Sequence, residues 1–160
     1  MNVHSQARLC DVIPALADKI RQLAELCDKD EIFFAENATL EVTQGLRTWD
    51  DQAKLWAIGR TLPGKEVTNA RPGESWHQFG AACDVAPFVN DKQPDWDEGH
   101  PIWARIVELG ESLGLRSGVS WKDEPHFELT GNFPPKPPQE VIDAFQTSGI
   151  TAVWALIATA

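Results

Sequence analysis

The sequence has no tyrosine, a single methionine and only three cysteines, Cys10, Cys27 and Cys83. An odd number of cysteines with no CxxC pair argues against a disulfide scaffold, and a reducing cytoplasm is the expected place of synthesis. Basic residues are scarce: 14 Lys and Arg stand against 24 Asp and Glu, a formal net charge of -10. That balance counts against a nucleic-acid binder and against attachment to an anionic membrane. Long apolar runs are missing too. The longest, Ile150 to Ala160, is about half of what a bilayer span needs, so no membrane insertion is expected. Met1 to Arg8 holds no basic segment followed by an apolar one, so no cleavable secretory signal is expected. There is no internal repeat and no low-complexity linker. What remains is an ordinary globular composition, 42% apolar in 160 residues. A chain of this length buries roughly 70% of its unfolded surface and supports one core. The expectation is a single domain over 1–160, monomeric, with no second module.

Periodicity gives the coarse order of elements. Ile13, Leu16, Ile20, Leu23 and Cys27 recur at spacings of three and four, one apolar face of a helix with Pro14 in its first turn. Leu40 to Thr43 alternates as a strand does. Thr48 or Asp50 caps a helix carrying Trp49, Ala53, Leu55 and Trp56. A loop from Gly59 to Gly73 leads to a small-residue strand, Gly80 to Val85, and an acidic loop covers Asn90 to Gly99. Pro101 opens a second strong helix, through Ile102, Trp103, Ile106, Leu109 and Leu113, which Gly114 ends. A short strand within Val119 to Leu129 puts His126 and Glu128 on one face and Phe127 and Leu129 on the other. The stiff Pro134 to Pro138 connector precedes one last helix, about Gln139 to Ala158, whose apolar face packs on the body or meets a second copy. The pattern is α+β: a small, mainly antiparallel sheet flanked by helices.

Four histidines are present. His4 reads as solvated near a terminus, and His100, in Gly99-His100-Pro101, as a cap or surface residue. The other two have unusual neighbours. Asp84 is a charge among Ala82, Cys83, Val85 and Ala86, and a buried carboxylate needs a partner or a cation. His77, with Gly80 allowing a turn between them, is able to converge with it. An Asp paired with an Arg beside a core His is the competing reading. His126 follows Asp123, Glu124 and Pro125, and Pro125 keeps Glu124 extended. A strand-borne His beside a carboxylate is what a metal hydrolase uses, the one to bind the ion and the other to take a proton from water. Two His and one Asp make a three-ligand site with an open fourth position, as catalytic Zn2+ requires; Mn2+ and Co2+ accept the same donors. Cys83 points to the opposite face of the strand from Asp84 and reads as core.

Ser75-x-His77-x-x-Gly80-x-Ala82-x-Asp84, followed by Asp123-x-x-His126, resembles the M15 zinc peptidases of the D-alanyl-D-alanine carboxypeptidase type. Val67 to Ser75 and Pro125-His126-Phe127-Glu128 look most like its L-alanyl-D-glutamate endopeptidase branch, which includes phage endolysins. Gly45-Leu46-Arg47-Thr48 with Gln52 is similar to the family's Gly-aromatic-Arg-Ser…Gln segment, with Leu46 standing where the aromatic usually is. The resemblance spans about Leu40 to Leu129. It implies a fold of the hedgehog/DD-peptidase type, with His77, Asp84 and His126 as zinc ligands. It further implies Asp123, rather than its neighbour Glu124, as general base, and Arg47 as the group that stabilises the oxyanion. A fixed, forked guanidinium suits that task, though a surface pair of Arg47 with Asp50 or Asp51 is the plainer alternative. Ser75 and Gln52 are candidates to orient ligand, Arg47 or substrate. Trp121 and Trp76 either line the cleft or pack in the core. The implied substrate is the stem peptide of bacterial peptidoglycan, cut between L-Ala and D-Glu by an enzyme made in the cytoplasm and released to the wall, as through a holin. A D-alanyl-D-alanine carboxypeptidase is the rival within the family, but its Glu-Pro-Trp-His segment is not met here. A non-catalytic wall-binding zinc module is the rival outside enzymes.

Overall fold

The computed structural model describes residues 1–90 and 93–160. Among the described residues, seven α-helices run in the order α1 (Val3–Leu9), α2 (Pro14–Cys27), α3 (Glu31–Ala35), α4 (Trp49–Ala57), α5 (Pro101–Ser112), α6 (Gln139–Ser148) and α7 (Ile150–Thr159). The strands are β1 (Ala38–Gln44), β2 (Ala82–Val89), β3 (Gln93–Pro94), β4 (Arg116–Gly118) and β5 (Asp123–Glu128), and 3-10 turns form at Trp76–Phe79 and Val119–Trp121. These elements fall into two compact units: residues 1–45 with 82–129, and residues 46–81 with 130–160. No helix among the described residues is long and apolar enough to cross a membrane.

The first unit holds the whole sheet, in the order β1-β2-β5-β4 with β3 beside β2, and every pairing is antiparallel. The α+β reading holds. The face that spacing assigned to α2 is buried: Leu16, Ile20, Leu23 and Cys27 are all fully enclosed. It packs on α5, which contributes Ile102, Trp103 and Ile106, and on β1. Asp30 joins the helices. Its carboxylate accepts the Ile32 amide at the start of α3 and the Arg105 Nε of α5 at 2.7 Å. His100 is the expected cap, its Nδ1 accepting from the Ile102 amide at the start of α5. β1 is tied to α1 through a buried carboxylate: Glu41 accepts from the Asn2 amide and the Ser5 hydroxyl.

The second unit gathers α4, the Trp76–Phe79 turn, α6 and α7. Its core is aromatic: Trp49 stacks on Phe145 at 5.9 Å, and Phe79 meets Trp49, Trp76 and Phe145 edge-on. Thr48, rather than Asp50, caps α4 by accepting from the Asp51 amide. Trp154 of α7 donates to the Phe79 carbonyl, so the apolar C-terminal stretch packs within its own unit.

Several elements differ from expectation. The single helix expected over 139–158 is two helices, because Gly149 adopts φ 77°, ψ -173°, a conformation closed to L side chains, and the chain reverses there. Short α1 and α3 and the three-residue β4 were not anticipated, being too brief to show a period. The acidic loop expected over Asn90 to Gly99 contains β3, paired with β2; residues 91 and 92 of that loop lie outside the described residues.

Candidate metal centre

β5 sets the geometry. Alternation sends His126 and Glu128 to one face, and the antiparallel register puts His126 directly across from Asp84 of β2, and Glu128 across from Arg116 of β4. His126 Nδ1 lies 3.0 Å from Asp84 Oδ1, and His126 Nε2 lies 3.0 Å from Glu128 Oε1. Arg116 Nε reaches Glu128 Oε2 at 3.1 Å. Burial of the ring works against its positive charge, but its hydrogen bonds to Asp84 and Glu128, and their charges, win and push the His126 pKa up to about 10. Carboxylates so arranged favour a cation at this spot. Asp84 thus has a His partner in this contact.

His77 sits on the 3-10 turn. Ser75 caps that turn, its hydroxyl accepting the His77 amide at 3.4 Å, and Gly80 ends it in the left-handed region at φ 64°. The ring is 2% exposed, and the His77 carbonyl accepts the Arg47 amide. One ligand atom from each of His77, Asp84 and His126 lies within 4.8 Å of the other two. Two imidazole nitrogens and a carboxylate oxygen at that spacing fit a tetrahedral divalent ion with an open position, and the donor set, with no thiolate, suits zinc. Cys83 is buried as core, its thiol pKa raised by burial.

The remaining candidates are placed as follows. Arg47 Nη1 donates to Gln52 Oε1 at 3.0 Å, and Gln52 Nε2 donates to the Ala70 carbonyl at 2.8 Å. Gln52 is wholly buried, so it braces the guanidinium on the loop before the His77 turn. Asp51 bonds instead to Thr48 and Lys54. Asp123 begins β5, half-buried, opposite Gly118. Glu98 has its pKa raised by burial first and then by the nearby Glu124 and Asp123 carboxylates. Trp121 is 38% exposed with its ring 5.9 Å from that of His126, whereas Trp76 is fully buried and donates to the Pro134 carbonyl.

Glu128 and Arg116 received no role from the sequence. The signal was available: a charge between Phe127 and Leu129, on the His126 face of a short strand.

Comparison with known proteins gives concordant matches. Residues 68–129 match the family model described as D-alanyl-D-alanine carboxypeptidase, of the M15 peptidases. The peptidoglycan L-alanyl-D-glutamate endopeptidase CwlK of Bacillus subtilis is 38% identical over 101 residues, 57% of this chain and 60% of CwlK. This chain thus spans less than two thirds of that relative's length. The L-alanyl-D-glutamate peptidase of Escherichia phage T5 is 30% identical over 123 residues, 74% of this chain and 78% of the phage protein. The crystal structure of the Serratia marcescens L-Ala D-Glu endopeptidase ChiX superposes with a TM-score of 0.56 at 24% identity, over 81% of this chain and 89% of ChiX, a likeness of fold.

Proposed function

The chain belongs to the M15 family of D-alanyl-D-alanine carboxypeptidase-like peptidases, and on that premise we propose that it is a zinc-dependent peptidoglycan hydrolase cutting stem peptides between L-alanine and D-glutamate. The observation that carries this reading is the convergence of His77, Asp84 and His126, with Asp123 at the head of the strand that bears His126. The names of the Bacillus and phage relatives supply the bond, and the phage relative favours a role as an endolysin. The whole chain acts in this reading as one catalytic domain.

His77, Asp84 and His126 would hold the ion. Zinc bound there supplies Lewis acidity, lowering the pKa of an attacking water towards about 7 and polarising the scissile carbonyl. Asp123 takes the proton from that water and returns it to the leaving amine. Arg47, held by Gln52, offers its fork to the oxygen on which negative charge develops. Ser75 holds the His77 turn in its capped form, and Trp121 lends an exposed apolar ring to the bound peptide.

The test is digestion of purified cell walls, with mass analysis of the muropeptides released. Cleavage between L-Ala and D-Glu, abolished by a chelator and restored by zinc, is the expected result. Loss of the terminal D-Ala alone would assign the carboxypeptidase reaction instead. Walls left intact by the zinc-loaded protein would leave a non-catalytic binding module.

A further inference from the structure

Three strands of the first unit carry a row of polar groups in alternating sign: Asp84 on β2, His126 and Glu128 on β5, Arg116 on β4. Its contacts are 3.0, 3.0 and 3.1 Å. Glu128 is 3% exposed. Desolvating a carboxylate this deep is costly unless charged or hydrogen-bonding partners offset it, so its presence in a buried strand calls for a task. A hydrophobic residue at 128 would pack the strand more simply, between Phe127 and Leu129.

The task follows from imidazole chemistry. A neutral ring has one N–H and one lone pair, and only the nitrogen with the lone pair binds a metal. Glu128, an acceptor, faces Nε2; Asp84, a proposed ligand itself, faces Nδ1. We infer that Glu128, braced by Arg116, is a positioning residue that holds the proton of His126 on Nε2 and so presents Nδ1 to the metal. The inference rests on the metal reading above and adds to it the choice of nitrogen and the two groups that enforce it. Arg116 enters as the counter-charge. Its side chain is 28% exposed at the edge strand, and its Nε stands 3.1 Å from the Glu128 oxygen that does not face the ring. Ser117, the next residue, donates to Glu111 of α5, which anchors β4 behind it.

The experiment compares the full chain with its Glu128→Gln, Glu128→Ala and Arg116→Gln variants. Zinc affinity is read by competition with a chromophoric chelator, and the His126 ring nitrogens by 15N NMR of the zinc-loaded protein. Loss of an outer partner of a metal-bound His typically weakens metal binding by about 10- to 100-fold. Glu128→Ala is expected in that range, and Glu128→Gln, which keeps an acceptor oxygen, nearer its lower end. Arg116→Gln should shift affinity in the same direction by less. The parent should show Nε2 protonated and Nδ1 ligated, with that pattern lost or mixed in Glu128→Ala. Variants that bind zinc like the parent with an unchanged nitrogen pattern overturn the inference, even where the metal-free variant melts earlier. Should Glu128→Ala not fold, Glu128→Gln and Arg116→Gln decide. A parent chain that takes up no zinc overturns the metal reading, and this inference with it.

Discussion

Asp123 and Glu124 are adjacent carboxylates, three and two residues before His126, and the proposed reaction needs only one of them to move a proton. Asp123 heads the strand that bears His126 and stands three residues before it, the spacing on which the family resemblance places the base. Asp123→Asn should therefore bind zinc as the parent does, by metal analysis, and lose about 10²- to 10⁴-fold in rate. Glu124→Gln should retain most of its activity; the opposite ranking would exchange the two roles. Gln52→Ala should lower kcat with zinc content unchanged, because it frees the Arg47 fork. Residues with one chemical use were the legible ones. His77, Asp84 and His126 stand out in sequence because imidazole and carboxylate are out of place among Ala, Cys, Phe and Val. Glu128 was not legible, since its meaning depends on Arg116 across the sheet, and strand register is invisible in a linear string.

At the scale of elements, segments with an unbroken period over several turns read true, the helix expected over 139–158 broke at Gly149, and the briefest elements were missed. α2 and α5 declare themselves through three- and four-residue spacing over several turns. β4 has three residues and takes its conformation from β5 rather than from its own preferences. That dependence has a sharp point at Gly118, where a Cβ would run into the Asp123 carbonyl oxygen and crowd the His126 Cβ. Gly118→Ala should displace the start of β5, losing activity and zinc affinity together while circular dichroism reports intact helices. The Asp30–Arg105 contact between α3 and α5 gives a pH signature. The Arg105 hydrogen bond first, aided by the Ile32 amide, holds the Asp30 carboxyl below its ordinary 3.8. A lowered folded pKa means stabilisation that is present above pH 3.8 and lost as pH falls through the folded value. Arg105→Met should accordingly melt below the parent at neutral pH. The gap should close under acid, once Asp30 is protonated in both; a gap of constant size would assign the loss to packing alone.

For the whole molecule, charge is distributed unevenly. Residues 1–45 and 82–129 carry eight Lys and Arg against eighteen Asp and Glu, so this unit holds the entire net charge of -10; residues 46–81 and 130–160 balance at six against six. Peptidoglycan stem peptides are themselves anionic through D-glutamate. On the function proposed above, long-range forces oppose the encounter with such a peptide, and affinity comes from short-range contacts at the site. Repulsion of this kind acts on association and is screened by salt, whose Debye length falls from about 30 Å at 0.01 M to about 10 Å at 0.1 M. On a soluble stem peptide, kcat/KM should rise across that range while kcat stays level. A fall would mean that a local basic group such as Arg47 dominates approach, outweighing the acidic unit. Replacing exposed acids of α2, Asp18 and Glu25, by Asn and Gln should raise kcat/KM at low salt and have little effect at high salt. Equal gains at both salt levels would show that the acidic surface acts through something other than its field.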